Sequence, residues 1–106
     1  MSAGQLVYVA FKGSGNGINF TPATGTEWFV FSIYGATTDG SGKYAGANIN
    51  DISGAFSVPL LRIGGGGYNT GNWTGKVYFD DNGELTLYDG DSSNNSEFWA
   101  TLIQVL

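Results

Sequence analysis

The strongest constraint on the fold is the way glycine-rich segments divide the chain into short apolar runs. The chain has 106 residues, of which 18 are glycine and only two are proline. None of the runs shows the repeated three-to-four-residue apolar spacing that indicates an amphipathic helix. Charged residues make up 12% of the chain and aromatic residues 15%, a balance opposite to that of disordered proteins. The pattern therefore predicts short β-strands joined by tight turns.

Seven segments have the composition of strands. They are 5–12, 18–21, 27–34, 55–63, 76–79, 84–88 and 97–105. Seven short strands at close spacing, with no sign of a linker or repeat, favour one all-β domain. We predict an antiparallel β-sandwich of the jelly-roll kind over residues 1–106.

Individual segments give more specific predictions. Segment 27–34 is apolar on both alternating faces, so we expect a central strand that is covered from both sides. Pro59 cannot donate to a β-ladder, which places segment 55–63 at a sheet edge or at a bulge. Asn82-Gly83 between two strand segments predicts a β-hairpin. Segment 35–51 reads as one long irregular loop, and such loops are often functional.

The aromatic residues supply core material. Trp28 and Trp99 lie in apolar segments, and we expect both to be substantially buried. Trp73 has polar neighbours and the surroundings of a loop, so its ring could be exposed.

The charge balance argues against several classes of partner. The net charge is −5, and the four basic residues are scattered along the sequence. No basic stripe is available to neutralise phosphates, so we predict no nucleic-acid partner. The longest apolar runs are far below the roughly 20 residues of a membrane-spanning helix, and we predict no membrane insertion. The N-terminus shows no secretory signal pattern, which leaves the compartment open between the cytoplasm and release by another route.

The residue inventory also argues against most kinds of catalysis. The chain has neither histidine nor cysteine, so it cannot build a nucleophilic site on an imidazole or a thiolate. A pair of carboxylates for glycoside hydrolysis remains open from the residues alone. We predict a protein that is not an enzyme.

One polar segment has the chemistry of a cation site. Residues 89–96 read Asp-Gly-Asp-Ser-Ser-Asn-Asn-Ser. They bring carboxylates, amides and hydroxyls together within eight consecutive residues. Ca²⁺ prefers six to eight oxygen ligands, which a curled acidic loop can supply. The same residue types are also the commonest in solvated turns, so a plain turn is the alternative interpretation.

The order of motifs in the second half of the chain resembles the LecA-like family of calcium-dependent, galactose-binding bacterial lectins. Pro59-Leu-Leu-Arg-Ile-Gly is followed by an aromatic stretch, by Gly83-Glu-Leu-Thr-Leu-Tyr-Asp, and by Asn94-Asn-Ser before the last strand. The resemblance covers residues 56–105, about half of the chain. A looser match in the first half places Tyr34-Gly35 where the family has a tyrosine–glycine pair.

This resemblance implies a set of calcium ligands. Asp91 corresponds best to the family's aspartate, with Asp89 as its competitor, and Asn94 and Asn95 correspond to the asparagine pair. Tyr34 and a loop serine, Ser92 or Ser93, would contribute carbonyl oxygens. The sugar would complete the coordination of the ion.

The resemblance also implies sugar contacts. Asp91 and Asn94 would hydrogen-bond the sugar, and Asn50 stands near the place where the family's members grip galactose. Trp73 could stack on a sugar face if its ring borders the site. We therefore predict a Ca²⁺-dependent carbohydrate-binding protein, for galactose or another glycan, acting as a homo-oligomer. The alternative is a structural assembly module, such as a viral fibre tip or decoration protein, in which exposed aromatic side chains make subunit contacts.

Overall fold

Eight β-strands make up the fold, and no helix is found in the part of the chain that the structure describes. The computed structural model describes residues 4–13, 17–38, 42–53, 56–64, 66–90 and 96–106. The strands are β1 (Leu6–Gly13), β2 (Ile18–Phe20), β3 (Glu27–Thr37), β4 (Tyr44–Asp51), β5 (Ser57–Gly64), β6 (Asn69–Asp80), β7 (Gly83–Asp89) and β8 (Ser96–Gln104). These residues form no helix that could span a membrane.

The strands form two four-stranded antiparallel sheets. Sheet A has the order β1-β8-β3-β6, and sheet B has the order β2-β7-β4-β5. Successive strands alternate between the two sheets along most of the chain, which is the arrangement of an eight-stranded jelly roll. The predicted all-β antiparallel sandwich is confirmed.

The core lies between the sheets and is built from alternate residues of each strand. In β8, Phe98, Ala100 and Leu102 are fully buried, whereas the residues between them point away from the core. Leu85 and Leu87 of β7 face them from sheet B and are equally buried. This strict alternation follows from the two-residue period of a strand and explains why the strand prediction succeeded for β8.

The segment 35–51, predicted to be an irregular loop, contains two strand regions. Strand β3 continues to Thr37, and β4 occupies Tyr44–Asp51. The inward side chains of β4 include Ala45 and Ala47, both fully buried. These small residues gave no strong apolar signal, although the close packing of the sheets at this point requires them.

The predicted hairpin at Asn82-Gly83 is wrong. Strands β6 and β7 lie in different sheets, where β6 pairs with β3 and β7 pairs with β4 and β2. The connection between them is a tight turn from one sheet to the other. Asp80 Oδ1 accepts the backbone N–H of Asn82 at 2.9 Å, and no described non-glycine residue has a positive φ. A primed hairpin turn needs positive φ at its central residues, so it is not formed here.

The prediction for Pro59 is confirmed. Strand β5 is an edge strand of sheet B, and its register against β4 shifts between Ala47 and Asn48, where Leu60 is the extra residue. The bulge removes the need for a ladder donor at the proline.

The two tryptophans predicted to be buried differ. Trp28 is 2% exposed and belongs to the core, but Trp99 is 44% exposed. Trp99 occupies an outward position of β8, between the buried Phe98 and Ala100. Its burial was predicted wrongly because the apolar pattern of β8 does not reveal which face meets the other sheet.

Candidate functional site

Asp89, a predicted calcium ligand, lies in the interior of the described structure. The side chain is 4% exposed at the end of β7. Its Oδ2 accepts a hydrogen bond from the Ser96 hydroxyl at 2.7 Å, and Ser96 Oγ lies at the same distance from Thr37 Oγ1. This buried cluster joins β7 of sheet B to β3 and β8 of sheet A. One oxygen of the carboxylate is therefore used in holding the two sheets together.

Three other predicted site residues lie on different surfaces. Tyr34 is on the outer face of sheet A, in a strand paired on both sides. Asn50 is on the outer face of sheet B, where its Nδ2 donates to Thr86 Oγ1 at 2.7 Å. Trp73 lies in β6, is half-buried, and packs against the core. The structure does not bring these side chains together.

The remaining predicted ligands, Asp91, Ser93, Asn94 and Asn95, lie outside the described residues, as does Ser92. Among the residues that are described, no group of three or more carboxylates is placed to hold a metal ion. Calcium binding by the loop that follows Asp89 therefore stays a prediction.

The most distinctive surface of the protein is the outer face of sheet A. Its apolar side chains, which we call the aromatic face, are Leu6, Tyr8, Phe29, Tyr34, Tyr78, Trp99 and Ile103. The strand register places Leu6, Ile103, Phe29 and Tyr78 in one row across four strands, and Ala10, Trp99, Tyr34 and Asn72 in another. Tyr8 is 69% exposed and Leu6 is 61% exposed. The face thus has two mainly apolar rows, and between them lies a row formed by Tyr8, Thr101, Ser32 and Thr74.

Ring contacts organise this face. Tyr34 and Trp99 are stacked with centroids 6.1 Å apart, and Phe29 meets Tyr78 edge to face at 5.9 Å. The Lys76 ammonium lies 4.6 Å from the centre of the Phe29 ring. Such paired rings keep few rotamers, so the surface is ordered before any partner arrives.

Apart from Lys76, whose ammonium lies over the Phe29 ring, the described charged groups of the aromatic face lie at its ends. At one end Lys12 Nζ lies 3.2 Å from Glu97 Oε1. At the opposite end Glu27 Oε1 accepts a hydrogen bond from the Tyr78 hydroxyl at 2.9 Å. An apolar centre with a charged rim is the usual organisation of a protein–protein interface.

The sequence contained a signal for this surface. Segment 27–34 and the first strand segment are apolar on both alternating faces, although a strand in a two-layer sandwich needs only one apolar face. The prediction that segment 27–34 is covered from both sides is wrong for the chain by itself, because only its inner face meets sheet B. The surplus of apolar residues was the indication of an outer contact surface.

A second distinctive surface is one end of the sandwich, which we call the acidic end. It collects five of the nine carboxylates of the chain: Glu27, Asp51, Asp80, Asp81 and Glu84. Each of them accepts a hydrogen bond from a neutral donor. Three of the four basic residues lie towards the other end, and the fourth, Lys76, lies in the middle of β6. Among the described residues, no basic side chain forms an ion pair with the carboxylates of the acidic end.

Hydrogen bonding shifts the pKa of two ionisable groups at the acidic end, Asp51 and Tyr78. The hydroxyl and the backbone N–H of Ser53 both donate to Asp51 and lower the pKa of its carboxyl. The hydrogen bond to Glu27 raises the pKa of the Tyr78 phenol above its ordinary value, and the nearby carboxylates add to that effect.

Comparison with known proteins identifies the fold and does not identify a family. No family model and no curated protein matches the chain. Among solved structures, the chain is similar to the Drosophila NLP-core, whose crystal structure provides insight into pentamer formation and histone binding. The similarity has a TM-score of 0.55 with 11% sequence identity, and it covers 91% of this chain and 97% of that one.

This comparison corrects the predicted partner. The resemblance to lectins predicts a carbohydrate partner. The similar NLP-core structure instead concerns contacts between proteins, namely pentamer formation and histone binding. The described geometry agrees with the correction, because Tyr34, Asn50 and Trp73 do not converge on one sugar-sized site. The prediction of a carbohydrate partner is wrong and is replaced by a protein partner below.

Proposed function

We propose that this protein is a subunit of a homo-oligomeric assembly, in which the aromatic face of one copy packs against a second copy. The observation that carries the proposal is the outward position of seven apolar side chains on sheet A, of which five are exposed and two, Phe29 and Ile103, are half-buried. Monomeric proteins rarely expose a contiguous apolar patch of more than a few hundred Å². An antiparallel sheet with one solvated face normally places polar residues on that face.

The size of the face fits a stable interface. Four strands spaced about 4.8 Å apart, with about nine residues at 3.4 Å each, give a footprint of roughly 600 Å² before side-chain relief is counted. A standard interface buries about 800 Å² of accessible surface on each partner. The accessible surface of a sheet exceeds its flat footprint, so the whole outer face of sheet A, which contains the aromatic face, approaches the area that a stable dimer needs.

The composition of the face supports the same proposal. Tyrosine, tryptophan and phenylalanine are enriched at the centres of interfaces and carry much of the binding energy. Here Phe29, Tyr34 and Trp99 lie on the two inner strands of the sheet, and the Lys12–Glu97 pair lies at the end of β1 and β8. The similar NLP-core structure, with its pentamer, shows that a protein with this fold can assemble with copies of itself.

Light scattering coupled to size exclusion tests the proposal. The wild-type protein is expected at a multiple of the 11.2 kDa chain mass. Tyr8→Glu places a charge in the aromatic face without touching the core, because Tyr8 is an exposed residue of an edge strand. It is expected to shift the mass to 11.2 kDa while leaving the β-sheet circular dichroism unchanged.

Phe56→Glu is the matched control, since Phe56 is 74% exposed and precedes β5 of the other sheet. This variant is expected to keep the mass of the wild type. A wild-type protein that stays monomeric at high concentration, or equal masses for the Tyr8→Glu and wild-type proteins, would contradict the proposal.

The acidic end favours a second candidate function, the binding of a basic protein segment. Its carboxylates are paired with neutral donors only, so a cationic partner would meet unneutralised charge. Histone binding by the similar NLP-core structure is the reason for proposing a basic protein rather than a small cation.

Calorimetric titration with core histones tests the second candidate. The double variant Asp80→Asn, Asp81→Asn removes two charges while keeping an oxygen acceptor at each position, and its affinity is expected to fall. Glu97→Gln, at the opposite end, is expected to bind like the wild type. Binding that is absent at low salt, or equal in all three proteins, would reject this function.

A further inference from the structure

The outer face of sheet B carries a concavity of about 430 Å³. Two of the four basic residues of the chain, Lys43 and Arg62, line it together with Tyr44, Asn48 and Tyr88. No carboxylate is among the described residues of its lining. The described lining of this concavity therefore carries two positive charges, although the whole chain has a net charge of −5.

The strand register places a residue without a side chain at the centre of the concavity. Gly46 of the inner strand β4 pairs with Arg62 of β5 on one side and with Tyr88 of β7 on the other. The backbones of Arg62 and Tyr88 therefore stand two strand spacings apart, about 10 Å, with a gap at the glycine. A Cβ at Gly46 would overlap the Leu61 carbonyl oxygen and would lie 3.0 Å from the Tyr88 hydroxyl. The Tyr88 hydroxyl thus reaches into this gap, and the glycine leaves room for it.

Arg62 is held in place by an aromatic ring. Its guanidinium carbon lies 3.8 Å from the centre of the Tyr44 ring, so the guanidinium packs against the ring. Such packing occupies a face of the planar group and leaves the N–H donors at its edge available. No carboxylate among the described residues forms an ion pair with Arg62. The cation is thus positioned, and its donors can be used by a ligand.

We propose that this concavity binds a small oxyanion, a carboxylate or a phosphate group, through the guanidinium edge of Arg62. The fork of guanidinium donors matches the two oxygens of either group. Lys43 adds a second positive charge, and Tyr88 and Asn48 offer neutral hydrogen bonds at the border of the gap. The concavity is on the opposite sheet from the aromatic face, so the site does not depend on the proposed oligomer.

Amide NMR of the isotopically labelled full chain tests the proposal. Disodium succinate and inorganic phosphate are titrated separately, with sodium chloride used to hold the ionic strength constant. Saturable shifts are expected at Gly46, Tyr88 and the Arg62 side chain. The two titrations distinguish the sources of the oxyanion, since saturation by only one of them assigns the site to that anion.

Arg62→Gln removes the guanidinium and is expected to weaken binding about tenfold or more, the size of a charge-assisted hydrogen bond pair. Lys76→Gln is the matched control, because it removes the same charge and another cation–ring contact on the opposite sheet. It is expected to leave the titration unchanged. The proposal is overturned if neither anion gives saturable shifts, or if Arg62→Gln and Lys76→Gln weaken binding equally.

Discussion

At the scale of single residues, the polar cluster of Asp89, Ser96 and Thr37 is the most unusual part of the interior. The Ser96 hydroxyl lies within hydrogen-bond distance of both the Asp89 carboxylate and the Thr37 hydroxyl, and all three groups are almost fully buried. Burying such groups is costly unless they are hydrogen-bonded. Their placement on β3, β7 and β8 makes the cluster a polar tie between the two sheets.

Ser96→Ala is therefore expected to destabilise the fold. The change removes the hydroxyl that donates to Asp89 Oδ2, and losing one partner of a buried polar group costs about 1–3 kcal/mol. Urea unfolding measures the change. Ser57→Ala, at an exposed position of β5, is the control and is expected to be neutral. Equal midpoints for the two variants would show that the buried hydrogen bond contributes no net stability.

A second residue-scale prediction concerns Gly35 in β3. A Cβ added there would overlap the ring of Phe98 and would lie 3.0 Å from Ile63 Cδ1. Because all three residues are buried between the sheets, Gly35→Ala is expected to cost about 1–3 kcal/mol through overpacking. Gly64→Ala is the matched control, since its nearest neighbour would be the Tyr44 ring at 3.7 Å. Thermal melts that give both variants the same midpoint would contradict this packing.

The hydrogen bond between Tyr78 and Glu27 predicts a pH dependence. It raises the pKa of the Tyr78 phenol, so the stability it supplies is full below the phenol's unfolded pKa, about 10. That stability is lost as the pH rises through the folded value. Ultraviolet titration of tyrosine ionisation is expected to show one group whose titration moves to lower pH in Glu27→Gln. Superimposable titration curves for the two proteins would rule out the hydrogen bond.

At the scale of elements, a bulge in strand β3 keeps core residues pointing inward along the whole strand. Trp28 and Val30 point inward at even positions, but Ile33, Gly35 and Thr37 point inward at odd positions. The register shifts between Val30 and Ser32 against both neighbouring strands, so Phe31 lies in the bulge. A strand without this bulge would turn one half of its core residues towards solvent.

The pairing pattern predicts the order of hydrogen exchange. Strands β3 and β8 are paired on both sides, whereas β2 has three residues and pairs only with β7. Amides of β3 and β8 are expected to exchange slowest, at a rate set by global unfolding, and those of β2 fastest. Mass-spectrometric exchange resolves these segments. Protection of β2 equal to that of β8 would contradict the pairing.

At the scale of the whole molecule, charge is distributed unevenly along the sandwich. Five carboxylates gather at the acidic end, while Lys12, Lys43 and Arg62 lie towards the other end. Like charges that are close together repel each other, and salt screens them over about 10 Å at 0.1 M. This repulsion therefore destabilises the fold more at low ionic strength than at high ionic strength.

The melting temperature is therefore expected to rise when sodium chloride increases from about 10 mM to about 150 mM, by the equivalent of about 1 kcal/mol or less. The double variant Asp80→Asn, Asp81→Asn is expected to show a smaller rise, because it relieves part of the repulsion. Glu97→Gln, which breaks the ion pair with Lys12, serves as the comparison. If the melting temperature of the double variant rose with salt as much as that of the wild type, Asp80 and Asp81 would not be a source of the repulsion.

Much of the fold could be predicted from the sequence, because alternation along a strand is a local property. The glycine-separated runs predicted an all-β sandwich, and each of the seven predicted segments overlaps an observed strand, although β6 begins at Asn69 and the predicted segment began only at Lys76. Strand β4 was missed, since Ala45, Gly46 and Ala47 carry little apolar signal. The predicted site depended on residues distant in sequence, and of these the structure places Tyr34, Asn50 and Trp73 apart.

What the sequence alone determined is the class of fold and the alternating faces of strands such as β1 and β8. Only the tertiary structure decided which face meets the other sheet and which strand supplies each hydrogen-bond partner. Trp99 and Phe98 are neighbours with similar apolarity, yet one is exposed and the other is buried. The same holds for Asn82-Gly83, which suits a hairpin but joins two sheets. The physical reason is that side-chain period and turn propensity are local, whereas strand pairing and burial depend on contacts between segments far apart in the chain.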